Sequence, residues 1–126
     1  MFGVGLNPVY MQRLEEREAK RQASGEAGGS IALLRLEQVS PFPYDRLAVE
    51  LLRFPNAELV WVQEEPINAG AWKYVQPRVD VASGGARQIR YVGRRASSAP
   101  ATGLIELHKL ELDDLLNEAI LGECPG

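Results

Sequence analysis

The chain has 126 residues, 45% of them hydrophobic and 25% charged, with a formal net charge of −3. That size suits one self-sufficient domain, 1–126, with an ordered core over about 8–120. The acidic balance argues against a nucleic-acid partner, although Arg87, Arg90, Arg94 and Arg95 lie close enough in sequence for a local basic patch. The single cysteine, Cys124, excludes an internal disulfide and a cysteine-rich metal cluster. No apolar run approaches the ~20 residues that cross a bilayer, so no membrane span is expected. Met1 to Tyr10 has neither the basic start and apolar stretch of a signal peptide nor the arginine-rich pattern of a transit peptide.

Asn7-Pro8 marks a helix start, with Asn as N-cap and Pro at the first helical position. Val9 to about Gln22 reads as a charged helix with Glu16 and Lys20 as an i,i+4 pair, one thin apolar stripe (Val9, Tyr10, Leu14) and a wide wet face. Ser24 to Ser30 is a glycine-rich loop. Ile31 to Leu36 is short and continuously apolar, as expected of a strand covered on both faces. Pro41 and Pro43 break the chain, and Tyr44 to Phe54 reads as a helix with Leu47, Leu51 and Phe54 on one face and Leu52 beside them. Glu58 to Gln63 is a second buried strand. Asn68 to Val79 reads as a helix that Pro77 kinks or ends. Ile89 to Val92 is a third strand, and an irregular stretch rich in Arg, Ser and Pro follows to Ala101. Thr102 is a fitting N-cap for a last helix to about Ile120, with Leu104, Leu107, Leu112, Leu115, Leu116 and Ala119 on its apolar face. Strands and helices alternate, so the class is α/β with a largely parallel sheet.

Few residues carry chemistry on their own. Glu64 and Glu65 follow a buried strand at the end where open α/β sheets place ligands, and adjacent carboxylates can serve acid/base work. Neighbours in an extended segment point to opposite faces, however, which favours loop hydrogen bonding or an interface. His108, the sole histidine, sits on the edge of the last helix's apolar face and reads as packing; a lone histidine builds no multi-histidine metal site. Arg94-Arg95-Ala96-Ser97-Ser98 lies after a strand and before a helix start, where guanidiniums, hydroxyls and a helix dipole can hold an anion. The competing reading is an interface or a solvated surface. The glycines form no phosphate loop, and Ser40, Ser97 and Ser98 lack a nucleophile-elbow context. Trp61 reads as core, and Trp72 and Tyr74 as core or interface.

Four segments are more informative as a set. They are Arg35-Leu36-Glu37-Gln38-Val39-Ser40-Pro41-Phe42-Pro43-Tyr44-Asp45; Phe54 through Pro66 with its Val60-Trp61-Val62-Gln63-Glu64-Glu65 centre; Asn68-Ala69-Gly70-Ala71-Trp72 with Tyr74-Val75 and Pro77-Arg78; and Tyr91-Val92-Gly93-Arg94 followed by Ser98-Ala99-Pro100-Ala101-Thr102-Gly103 and His108. In order and spacing the set resembles the C-terminal region of 2-oxoglutarate dehydrogenase first components. The related 2-oxoadipate enzymes are similar, but the Ser-Pro-Phe-Pro and Pro-Ala-Thr-Gly pieces look closer to the 2-oxoglutarate type.

The resemblance implies a transketolase C-terminal-like fold, three layers α/β/α around a mixed, mostly parallel sheet of four to five strands, one of them antiparallel. It implies a parent enzyme that decarboxylates 2-oxoglutarate on thiamine diphosphate and Mg²⁺, then passes the succinyl group to lipoyl arms of dihydrolipoyl succinyltransferase. Dihydrolipoyl dehydrogenase completes that complex. The compartment implied is the mitochondrial matrix in a eukaryote and the cytoplasm in a bacterium. The motifs that hold the cofactor and metal in the family are absent from this sequence, so the chain is expected to bind neither, to be inactive alone, and to serve as a homodimerisation domain. A nucleotide- or coenzyme A-binding regulatory module is the alternative. By position, Glu64, Glu65, Asn68, Gly70 and Trp72 form one candidate contact or anion-binding stretch, and Arg94, Arg95, Ser98, Thr102 and His108 another. The departures are at the ends: Met1 to Asn7 has only Phe2, Val4 and Leu6 among glycines, so the family's first strand is expected to be shortened or lost, exposing a sheet edge. Leu121 to Gly126 does not resemble the family end.

Overall fold

The computed structural model describes residues 2–4, 8–25, 31–98, 113–115 and 117–119. In chain order the elements are β1 (Phe2–Val4), α1 (Pro8–Ala23), β2 (Ala32–Leu34), α2 (Tyr44–Arg53), β3 (Leu59–Val62), α3 (Trp72–Ala82) and β4 (Ile89–Val92). Residues 113–115 and 117–119 are also helical. The fold is α/β, with a small sheet in the order β2-β1-β3-β4 whose three pairings are all parallel. The antiparallel strand implied by the family is not among the described residues, and neither are Asn7, Thr102 or the start of the last helix. No described helix is long and apolar enough to cross a membrane.

β1 is short, as expected, at three residues; the correction is its place, since it lies inside the sheet rather than leaving an exposed edge, with Gly3 opposite Leu33 on one side and Val60 on the other. A parallel pairing draws on backbone groups alone, so three residues suffice once two neighbours flank them. Among the described residues the edge strands are β2 and β4, and β2 is half-buried along its length rather than covered on both faces. By contrast β3 is buried at all four positions, as its apolar run predicts.

Register sorts the side chains. Leu59 faces Ile89 and Trp61 faces Tyr91 across β3 and β4, while Ala32 and Leu34 align with the same face through β1. Successive strand residues alternate between faces. This face packs on Leu47 and Leu51 of α2, on Trp72, Val75 and Val79 of α3, and on Phe42 just before α2. Val60, Val62 and Val92 occupy the other parity and are fully buried. Arg90, of that same parity, reaches Glu118, and Leu115 and Ala119 are buried as the apolar pattern predicts.

α2 holds its expected bounds to within a residue. Its Leu52 is 80% exposed, however, because the Leu47–Leu51 stripe already faces the core. Arg87 donates to the carbonyls of Leu51 and Ala57, closing the C-terminal turn of α2 and the bend into β3. α3 starts at Trp72, four residues later than its pattern suggests, since residues 68–71 form turns and Gly70 has φ 65°. Pro77 lies inside α3 without ending it, and the helix runs on to Ala82. On α1 the expected Glu16–Lys20 pair is not among the described ion pairs; Glu16 accepts from Gln12 at 3.0 Å instead. The surprise on that helix is Glu18, which continues the Tyr10–Leu14 spacing and is buried with Arg21.

Candidate functional site

β3 and β4 are neighbours, so their carboxyl ends feed two loops, 63–71 and 93–98, into one place. In parallel sheets this is the end where ligands bind. The first of these loops is organised around Gln63, which is 3% exposed. It follows Leu59 and Trp61 on the α2–α3 face, one step past the strand. Its Oε1 accepts from Trp61 Nε1 at 2.8 Å and from the Trp72 backbone amide at 3.1 Å. Its Nε2 donates toward the carbonyls of Glu65, Pro66 and Ala69 at 3.1, 3.0 and 2.9 Å. Both ends of a buried amide are thereby engaged.

Tyr91 extends the network to the second loop. Its ring lies 5.3 Å from that of Trp72, and its hydroxyl is 3.1 Å from the Glu65 carbonyl and 3.0 Å from that of Arg94. One phenolic proton is thus shared between the loops. Burial pushes the Tyr91 pKa up to about 12, outweighing the opposing hydrogen bond with Gln63. Gly93 leaves room for this arrangement: a Cβ there would overlap the Tyr91 hydroxyl and lie 2.9 Å from the Gln63 carbonyl. Gly70 serves the same centre, since a Cβ would lie 3.0 Å from Gln63 Oε1. Two further ties complete the joint. The Ile67 amide donates to the Arg94 carbonyl at 3.0 Å. Asn68 grips the Ser97 backbone at both ends, donating to its carbonyl at 2.8 Å and accepting from its amide at 3.1 Å.

The structure therefore brings together Asn68, Gly70, Trp72 and Arg94 from the two predicted stretches. Trp72 is buried as the first residue of α3, Glu64 is half-buried and Glu65 exposed. For Glu65 it is the main-chain carbonyl that enters the network. Arg94, Arg95 and Ser97 line an open cleft of about 410 Å³ together with Gly93, Ala96, Asp114, Leu115 and Glu118. Ser98 is exposed and is not among the lining residues. Thr102 and His108 lie outside the described residues. The cleft has two carboxylates beside its two guanidiniums. Arg90 pairs with Glu58 at 2.7 Å and Glu118 at 3.7 Å, and Arg87 is held by carbonyls. The four arginines do not pool into one basic patch, because each of these two has its own acceptors. Gln63 was the residue that sequence reasoning did not single out. Its signal was positional: a polar side chain at the end of a buried strand, in phase with a tryptophan. Among the described residues no group of three or more His, Cys, Asp or Glu is placed to hold a metal ion.

This joint is built from the segments that carry the family resemblance, and comparison with known proteins agrees. A family model described as 2-oxoglutarate dehydrogenase C-terminal matches residues 7–120. The chain belongs to this family. A 2-oxoglutarate dehydrogenase E1 component from Brucella anthropi is 43% identical over 116 residues, 89% of this chain and 11% of that protein. The mitochondrial 2-oxoglutarate dehydrogenase of Dictyostelium discoideum is 40% identical over 118 residues, 91% of this chain and 11% of that protein. A protein of the same organism, named as a probable 2-oxoadipate dehydrogenase complex component E1 homolog, is 40% identical over 112 residues, covering 88% of this chain and 12% of that protein. The chain spans about one-ninth of the length of these relatives. The 2-oxoglutarate dehydrogenase C-terminal match takes in both loops of the joint, Gln63 and Tyr91 included.

Proposed function

We propose that this chain is a support and dimerisation domain of a 2-oxoglutarate dehydrogenase, holding the surface near the active-site entrance while bonds are made and broken elsewhere. The observation that carries this reading is that the joint's polar groups are occupied by one another. Gln63 and Asn68 each use both ends of their amides, and the Tyr91 proton lies between two carbonyls. Groups so engaged position a backbone rather than react. In this reading thiamine diphosphate and Mg²⁺ belong to other domains of the parent, where the cofactor supplies the carbanion chemistry.

The parent then converts 2-oxoglutarate rather than 2-oxoadipate, on the strength of the Ser40-Pro41-Phe42-Pro43 and Pro100-Ala101-Thr102-Gly103 pieces. Its partners are dihydrolipoyl succinyltransferase and dihydrolipoyl dehydrogenase, in the matrix of a eukaryote or the cytoplasm of a bacterium. The architecture is the three-layer, transketolase C-terminal-like one. Val49 and Leu52 on α2 and Val81 on α3 are exposed and supply apolar surface for self-association. The test is direct. The purified chain with thiamine diphosphate and Mg²⁺ should release no carbon dioxide from 2-oxoglutarate, and sedimentation should show concentration-dependent dimers. Turnover by the chain alone defeats the support role, and a monomer at every concentration defeats the dimerisation role.

A regulatory module for a nucleotide or coenzyme A is the second reading, and the cleft that gathers Arg94, Arg95 and Ser97 is what favours it. Asp114 and Glu118 in the same cleft weigh against an anion, which places this reading second. Titration calorimetry with adenine nucleotides and acetyl-coenzyme A decides: saturable heat revives the module, and its absence removes it.

A further inference from the structure

α2 has two long faces. The inner one fills the core through Leu47 and Leu51, which are buried. The outer one leaves apolar side chains in water: Val49 is 59% exposed and Leu52 80%. A helix surface carries rows of residues spaced by four, and one such row here is Asp45, Val49 and Arg53. All three are exposed, and Leu52 lies beside the row. The row is therefore acidic in the first turn, apolar in the middle and basic in the last turn.

Acid at the start and base at the end suit the dipole of a lone helix. The dipole gives no reason for the exposed apolar centre between them. A row of acid, apolar and base is its own complement when reversed. Two copies of α2 laid antiparallel about a two-fold axis beside Val49 bring Val49 against its own copy. Each Asp45 then meets the Arg53 of the other copy, since both lie four residues from the centre. The commonest crossing of two helices, at roughly 50°, runs their i±4 rows alongside one another and so permits this contact. Arg53 donates to Glu50 at 2.7 Å within its own helix, but its side chain is 63% exposed and a guanidinium has N–H groups to spare for a second carboxylate.

We infer that the outer face of α2 is the dimer contact, where a second copy of the chain docks by an antiparallel α2–α2 pairing centred on Val49 and closed at each end by Asp45 and Arg53 of opposite copies. This rests on the dimerisation role proposed above and names its surface. A two-fold contact uses the same patch on both copies, the commonest form of homodimer. Ten helical residues span only ~15 Å, so this contact alone is smaller than a standard interface, and the chain should dimerise weakly.

Charge reversal reads the pairing in sedimentation. Asp45→Arg alone, or Arg53→Asp alone, sets like charges at both ends of the contact and should weaken dimerisation roughly tenfold. Mixed in equal amounts, the two variants should form heterodimers in preference to either homodimer, counted by native mass spectrometry, because opposite charges then meet at both ends. The double variant Asp45→Arg/Arg53→Asp should regain most of the lost affinity. In a Cys124→Ser background, Val49→Cys should crosslink to its own copy on air oxidation, and Val81→Cys on α3 should not. Dimers unchanged by both single reversals, random mixing of the two variants, or a crosslink at 81 and not at 49 overturns the α2 pairing and leaves dimerisation standing through another face. A monomer at every concentration overturns both.

Discussion

At the β3–β4 side of the sheet, apolar burial and polar bonding act on the same residues: Trp61 is both core and hydrogen-bond donor to Gln63, and Tyr91 is both packed on Trp72 and bonded to two loops. At the β2 side, Ala32 and Leu34 are half-buried and pack against the margin of the core. The contrast teaches that a parallel sheet needs no uniform fastening. Where side chains are buried on both faces, polar groups refine the geometry of the ends; where they are half-buried, backbone pairing and partial packing hold the strand.

The sharpest way to break the comparison is at its centre. Gln63→Leu strands the Trp61 and Trp72 donors and three carbonyls in a buried place, and should cost about 3–5 kcal/mol in urea unfolding. A loss under ~1 kcal/mol would mean that the amide is not the fastening it looks to be. Gly93→Ala comes next, at about 2–3 kcal/mol, because its Cβ overlaps the Tyr91 hydroxyl. Tyr91→Phe in the same chain should recover part of that loss, and strict additivity of the two would refute the contact.

Asn68→Ala should cost about 1–2 kcal/mol and speed amide exchange at Ser97. Asn68→Asp, which keeps the acceptor but not the donor, should fall between. The Tyr91 phenol provides a pH test of smaller size. Its pKa is raised in the fold from 10.0 to about 12, so its contribution is whole below the ordinary value and fades as pH rises through about 12. Phenolate absorbance should show a late-titrating tyrosine that Tyr91→Phe removes. The smallest stability effect belongs to Leu52→Asp, within about 0.5 kcal/mol, since this side chain touches little of its own chain. Its effect should appear instead in sedimentation, as weakened self-association.

Much of this was legible in the linear chain. The apolar run Leu59 to Val62 is a buried strand because nothing in it tolerates water, and α2 shows its buried face in Leu47 and Leu51. Family membership was legible too, because four separated segments keep their order and spacing. Less legible were the features that depend on neighbours. Phe2 to Val4 promised at most a shortened strand, and its place between two flanking strands was not visible in the sequence. Glu18 looked solvated among six charged or polar neighbours, yet it is buried with Arg21 three residues along the same helix. Arg87 and Arg90 looked like members of one basic cluster, but separate acceptors from α2, β3 and the last helix divide them.

Taken by itself, the sequence determined the α/β class, the placing of most helices and strands, and the family, because periodicity and motif order are local properties written along the chain. The tertiary structure decided which strands are the edges, which polar side chains are buried, and that Tyr91, Asn68 and Ile67 join two loops lying some thirty residues apart in sequence. Those outcomes depend on which groups meet across the sheet, and a buried donor or acceptor acquires its meaning only when its partner arrives.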